Sequence, residues 1–288
     1  MQAAQTVYVG DGFNVKDKYG CHEHFGRWDT RLKSRRFYPQ SFTRLMHADA
    51  TIASLNTPAV RWHVVENSKW LASALDWIDR TAVAALAERG QFHIVLAGGE
   101  TPRRIYQDLS GQSRDWANWH IWFGDERCLP RDDPRRNSWM AADAWLDHVG
   151  IPASNRHIIP AELDAATAAA SYARELNGCE TFDLVLLGLG QDGHTASLFP
   201  GHPWGEWAGA PDTLAVLDAP KPPPERVTLS ARRLSRAGCV LFLVSGADKR
   251  AALSRWRLNE TLPAAAIQPI AGVDLLIDTD ACPPGEPE

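Results

Sequence analysis

No stretch of the 288-residue chain strings together the roughly 20 apolar residues that a membrane-crossing helix needs. Its first twenty residues lack the basic start and apolar block of a secretory signal. Positive charge is not in excess either: 30 Lys and Arg stand against 35 Asp and Glu, a formal net charge of -5. That balance removes the general electrostatic reason to expect nucleic acid or an anionic membrane as partner. Any phosphate must instead be held by local basic groups and backbone N–H donors. Cysteine is sparse, odd in number and never in C-x-x-C pairs: Cys21, Cys128, Cys179, Cys239 and Cys282. Such spacing suits reduced thiols in a cytosol better than a disulfide framework. The expectation is a soluble, cytoplasmic protein. What the chain does have is a 44% hydrophobic content, ample for a sizeable core, and twelve Trp, whose ordinary use is core and groove packing.

Residues 1–60 show little sustained periodicity and are rich in Gly, Lys and Arg; they read as an N-terminal extension of unknown role, with a boundary near Pro58. Cys21, His22 and His24 sit close together there, but lack the second ligand pair of a metal site. From Trp62 onward strands and helices alternate. WHVVEN, FHIVLA, WHIWF, HIIP, FDLVLLG, TLAVLD, RVTLS, CVLFLV and VDLLID read as strands. Amphipathic or alanine-rich segments between them read as helices, one capped by Ser68 and ended by Gly90, others over residues 138–148, 164–177 and 247–258. Near-continuous apolar strands separated by helices predict an α/β fold: an open, mainly parallel, doubly wound sheet flanked by helices, over residues 61–280. The tail, 281–288, is expected to lack structure.

In open sheets of this kind ligands bind beyond the carboxyl ends of the strands, and four loops in those positions carry chemistry. GGETP offers Gly98 and Gly99 for close backbone approach, the Thr101 hydroxyl and a helix N-terminus that attracts anions. It lacks the G-K-[ST] ending of a Walker loop, so a phosphate cradle and an ordinary strand-to-helix turn stay equally open. GDER presents Arg127 for a phosphate or a developing anion and Asp125 for a sugar hydroxyl or a proton; a surface ion pair is the plainer reading. SGADKR puts Lys249 in a first helical turn, where a cation opposes the dipole unless it serves a bound anion. GLGQDGHTASLFPG has the G-x-G-x-x-G outline of a dinucleotide turn in Gly188, Gly190 and Gly193. Pro200, Pro203 and Pro211 leave no room for the crossover helix such a site needs. Asp192 two residues from His194 suits instead an oriented general base.

LAGGETP, WFGDERCLPRDDPRRNSWMA, DLVLLGLGQDGHTASLFPG and LVSGADKR, in that order, resemble the 6-phosphogluconolactonases, which share a fold with the glucosamine-6-phosphate deaminases. The deaminases share D-G-H but continue with an Asn-Glu-Pro sequence, so Leu198-Phe199-Pro200-Gly201 favours the lactonases. The resemblance implies hydrolysis of 6-phosphoglucono-1,5-lactone to 6-phosphogluconate, the second step of the oxidative pentose phosphate pathway, without metal or organic cofactor. It implies His194 as the base that activates water. Gly98, Gly99 and Thr101 would cradle the 6-phosphate, Arg127 and Lys249 would supply positive charge, and Asp192 and Asp125 would line the site. The expected partner is a small sugar-phosphate lactone, with no nucleic acid or membrane and the chain acting as a monomer. Glu100 departs from the family, which often has a small hydroxyl residue there; its carboxylate must point away from a phosphate or pair with Arg103 or Arg104. Ser197 lacks a G-x-S-x-G elbow, so water is expected to attack directly. The alternatives are a deaminase or isomerase of sugar phosphates on the same fold, and a non-catalytic sugar-phosphate sensor. The latter would usually need an attached DNA-binding module, for which residues 1–60 offer no pair of helices with helix-turn-helix spacing.

Overall fold

The computed structural model describes residues 59–285. The first 58 residues, and with them the extension and the Cys21, His22 and His24 group, lie outside the described residues. The chain opens with β1 (Val60–Val65) and α1 (Asn67–Arg89), which ends as expected on Gly90 in a left-handed conformation. Ser68 does not cap this helix. The N-cap position falls on Glu66, without a side-chain bond. The next elements are β2 (Phe92–Leu96), α2 (Glu100–Ser110), β3 (Trp119–Phe123), β4 (Asp125–Arg127) and α3 (Asn137–Ala144). After β5 (Arg156–His157) comes α4 (Ala165–Glu175), capped by the Asp164 carboxylate accepting from Thr167 N, and then β6 (Phe182–Gly188). The chain closes through β7 (Thr213–Val216), β8 (Arg226–Leu229), α5 (Ala231–Leu234), β9 (Ala237–Val244), α6 (Arg250–Arg257) and β10 (Val273–Asp278).

Seven strands form one sheet in the order β1-β10-β9-β6-β2-β3-β5, every neighbouring pair parallel. This is the open parallel α/β sheet expected from the apolar strands. β2, β3, β6, β10 and the second half of β9 are largely buried, which is why they read as near-continuous apolar runs. α1 packs on β10, β6 and β2. Trp116, Trp119 and Trp145 meet edge to face inside the core, the packing role expected of the tryptophans. Trp145, fully buried with backbone angles outside the helical range, also ends α3 earlier than the expected His148.

Other corrections come from long-range pairing. GDER, read as a loop, contains the short strand β4, which pairs antiparallel with β8; β8 pairs with β7 to complete a separate three-stranded sheet. Of the expected strand HIIP only His157 lies in a strand, the two-residue β5 at the sheet edge. The start of the tail is ordered by the body of the protein: Ala281 N donates to Asp278 O, and Ala281 and Pro283 are buried. Among the described residues no helix is long and apolar enough to cross a membrane.

The strand order fixes where a ligand can enter. From β2 the chain moves outward through β3 to β5, then returns to place β6 on the other side of β2 and continues through β9 to β10. The connections leaving the carboxyl ends of β2 and β6 therefore diverge, and a crevice opens between them. The loop after β2 carries Gly98 and Gly99, and the loop after β6 carries Asp192 and His194.

Candidate active site

A cleft of about 380 Å³ occupies that crevice, a size suited to a small molecule. Gly98, Gly99, Asp125, Arg127, His194 and Lys249 all line it, bringing together four loops far apart in sequence. Asp192 stands directly behind His194. Thr101 lies in the first turn of α2 but is not among the cleft-lining residues. Arg127, Lys221, Arg226 and Lys249 set four basic side chains in the lining against one carboxylate, Asp125. The cleft is thus built for an anion. A larger hollow, about 650 Å³, lies between Trp204, Arg232 and Trp256; it offers neither a histidine nor a glycine turn, and sets Arg232 against Glu206 and Glu260.

The turn after β6 is folded around the imidazole. Gly190 N donates to His194 O at 2.8 Å and Gly193 N to Gly190 O at 2.9 Å, closing a tight loop. His194 Nδ1 is hydrogen-bonded to Asp192 Oδ1. The ring lies so close over Gly190 that a Cβ there would stand 1.9 Å from Nδ1. With Nδ1 engaged by a carboxylate it carries the proton, which leaves Nε2 as the acceptor. Burial is the largest influence on His194 and lowers its pKa; the Asp192 carboxylate pulls it up in part, the Lys221 charge lowers it and Asp125 raises it, and the net result lies below the ordinary histidine value. At neutral pH the imidazole is therefore uncharged and able to accept a proton. Burial disfavours the Asp192 anion, but the hydrogen bond and charge of His194 outweigh it and leave its pKa below the usual carboxylate value.

The opposite wall is held by a buried network that the sequence reading missed. Glu126, in the GDER loop for which a surface ion pair was the plainer reading, is fully buried. Its carboxylate accepts from Arg127 N at 2.9 Å, Asn137 N at 2.7 Å and Ser138 N at 2.8 Å, and lies 3.4 Å from Arg136 Nε. It thereby caps α3, where a negative charge is favoured, and fixes the two residues on either side of it. Asp125 accepts from Asn137 Nδ2 at 3.0 Å and Ser197 Oγ at 2.6 Å. The Asn137 amide in turn lies against Gly98, where a Cβ would be 2.0 Å from Oδ1, so only glycine fits there. Asp125 thus joins the glycine loop to the histidine turn. Ser197 is 1% exposed with its hydroxyl committed to Asp125, which is no position for a nucleophile.

Arg127 Nη1 donates to Arg135 O, while its Nε is buried without a partner. Lys249 lies in the turn before α6 and pairs with Asp248 at 2.8 Å. Glu100 turns outward: its side chain is 67% exposed and stands 3.8 Å from Arg103, as the phosphate reading required. Lys221 and Arg226, both in the cleft lining, were missed: Lys221 lay in the proline-rich stretch APKPPPE, and Arg226 read only as the first residue of the strand RVTLS. The one legible signal was two basic residues inside PKPPPER, a loop otherwise short of donors.

A family model described as glucosamine-6-phosphate isomerases/6-phosphogluconolactonase matches residues 66–276. The chain is 39% identical over 221 residues to a 6-phosphogluconolactonase of Synechocystis sp., covering 72% of this chain and 90% of that protein. It is 38% identical over 197 residues to a 6-phosphogluconolactonase of Nostoc sp., covering 64% of this chain and 79% of that protein. Among solved structures, the 6-phosphogluconolactonase of Thermotoga maritima superposes with a TM-score of 0.72 at 27% identity, over 77% of this chain and 100% of that one.

Proposed function

The chain belongs to the glucosamine-6-phosphate isomerase/6-phosphogluconolactonase family, and from that membership we infer that it hydrolyses 6-phospho-D-glucono-1,5-lactone to 6-phospho-D-gluconate in the oxidative pentose phosphate pathway. The observation that carries the reading to this cleft is the His194–Asp192 pair at the head of a pocket lined by four cations. A lactone is an activated ester. Its hydrolysis needs a proton taken from water, a place for one developing negative charge, and an anchor that holds the ring still.

In our account His194 Nε2 accepts a proton from water as the oxygen bonds to C1 of the lactone. The carbonyl π pair moves onto its oxygen. When that pair returns, the bond from C1 to the ring oxygen breaks, and the ring oxygen takes the proton from His194. The product acid then releases its proton to solvent. Asp192 holds the ring in the required tautomer and stabilises the imidazolium while it lasts. Gly98, Gly99 and the N-terminus of α2 receive the 6-phosphate, with Arg127 and Lys249 as its cations. Binding there, remote from the ester, supplies orientation. Asp125, engaged by Asn137 and Ser197, holds the two halves of the site together. The chain acts as a cytoplasmic monomer, without nucleic acid as partner.

The test is lactone hydrolysis by the full chain, corrected for the spontaneous rate, with ammonia release from glucosamine 6-phosphate as the parallel assay. Lactone turnover without ammonia is expected. Ammonia release without lactone turnover would overturn the reading in favour of a deaminase.

A further inference from the structure

Between β7 and β8 the chain runs Ala219-Pro220-Lys221-Pro222-Pro223-Pro224-Glu225. Four of these seven residues are prolines, which carry no backbone N–H and cannot supply the donors that ordinarily close a turn. The neck is closed by Ala219 N donating to Pro224 O at 2.9 Å. The carbonyls inside the loop are collected by one guanidinium. Arg226 Nε donates to Pro223 O at 3.1 Å, and Nη2 donates to Lys221 O at 2.9 Å and Pro222 O at 3.4 Å. Arg226 is only 6% exposed. Its remaining nitrogen, Nη1, faces Ser197 Oγ at 3.5 Å, and the guanidinium sits 5.5 Å from the centre of the Phe199 ring. Phe199 in turn lies 4.9 Å from the His194 ring, centre to centre. Arg226 therefore ties the proline loop to the histidine turn and sets where Lys221 stands relative to His194.

Lys221 lines the cleft, and among the described residues it has no ion-pair partner, whereas Lys249 is paired with Asp248. An exposed ammonium at a cleft wall, on a loop stiffened by prolines, is available to an anion that forms there. We propose that Lys221 donates to the oxyanion that develops on the lactone carbonyl, and that Arg226 is the positioning residue that holds it there. The proposal rests on the lactonase reading and assigns the one charge in the reaction that reading leaves without a dedicated donor. Independent support comes from the electrostatics: the Lys221 charge lowers the pKa of His194 and of Asp192, so it acts at the reacting end of the cleft.

Two variants and a pH profile test this on the full chain. Lys221→Met should lower kcat by about 10²–10³-fold, the usual loss when one oxyanion donor is removed, with KM little changed. It should also shift the acidic limb of the kcat/KM profile to higher pH, because His194 loses a cation that depressed it. Lys221→Arg should restore that limb. Arg226→Met should lower kcat in the same direction, and the double variant should be no slower than the slower single variant. A raised KM with unchanged kcat in Lys221→Met would overturn the proposal and place Lys221 on the phosphate. Unaltered kinetics and an unmoved limb would overturn it outright, and additive losses in the double variant would overturn the role given to Arg226. Absence of lactone turnover in the unaltered chain would instead refute the lactonase reading.

Discussion

Replacing Gly190 by alanine adds one methyl group and should disable the site without disturbing the fold. The added Cβ would stand 1.9 Å from His194 Nδ1, 2.1 Å from Cε1 and 2.6 Å from Asp192 Oδ1. Non-bonded heavy atoms rest at roughly 3.5 Å, so the methyl and the ring must part by about 1.5 Å. The side chain yields more easily than the strand end it rests on, and the imidazole swings off Asp192 and away from the cleft. A misplacement of about 1 Å costs on the order of 10²-fold in rate, so kcat/KM should fall by at least about that factor. Stability should hardly change. Gly190 is not among the glycines with positive φ, so alanine is unstrained there. The lost hydrogen bond, about 1 kcal/mol, is offset by about 0.4–1 kcal/mol from the stiffer unfolded chain. The melting temperature should stay within about 4 °C. The assay is corrected lactone hydrolysis beside a thermal melt, with Gly150→Ala, where the added Cβ meets open space, as a control at the unaltered rate. Full activity in Gly190→Ala would refute the placement of the ring, and a rate loss matched by a collapse in melting temperature would refute the argument from a local clash.

Asp192→Asn removes a carboxylate that raises the His194 pKa. The acidic limb of kcat/KM should move to lower pH while the plateau falls by about 10²–10⁴-fold as the tautomer is lost; a limb moving upward would contradict this. Glu126→Gln removes the charge that three backbone N–H groups and Arg136 face, and should cost about 2–3 kcal/mol in urea unfolding, partly recoverable if Arg136 leans on Glu162, which it also meets at 2.9 Å. His93 is pushed down to about 4, first by burial and then by the charges of His120, His157, Arg89 and Arg233, while Asp183 faces its backbone N–H. Its folded pKa lies below its unfolded value near 6.5, so the unfolded chain binds more protons in between. Stability should therefore be full above about pH 6.5 and decline towards about pH 4. His93→Gln, which keeps an acceptor for Trp122 Nε1, should flatten that decline; an unchanged slope would show that other groups control it.

The parts of the fold that were legible are those whose cause is local. FDLVLLG and VDLLID reveal themselves because a strand buried on both faces is mostly apolar, and they span β6 and β10 residue for residue. WHIWF did the same for β3. What stayed hidden depends on partners far away in sequence. GDER became β4 only because Asp125 pairs with Thr228 and Arg127 with Arg226. The role of Glu126 stayed hidden because nothing local shows that Asn137 N and Ser138 N, at the start of α3, converge on it beside Arg127 N. The same holds at the cleft. Gly98, Asp125, Arg127, His194 and Lys249 stood at strand ends, where the architecture itself points to ligand contact. Lys221 sat in the connection between β7 and β8, with Arg226 at the start of β8, and the prolines between them read as a break in pattern rather than as a loop that one arginine must hold.

Whether His194 is the base of a lactone hydrolase in this cleft is decided by His194→Ala. Corrected lactone turnover should fall by about 10²–10⁴-fold or more, with the melting profile of the variant and its phosphate-end binding of 6-phosphogluconate retained. Turnover at the unaltered rate in a folded His194→Ala protein would contradict the account.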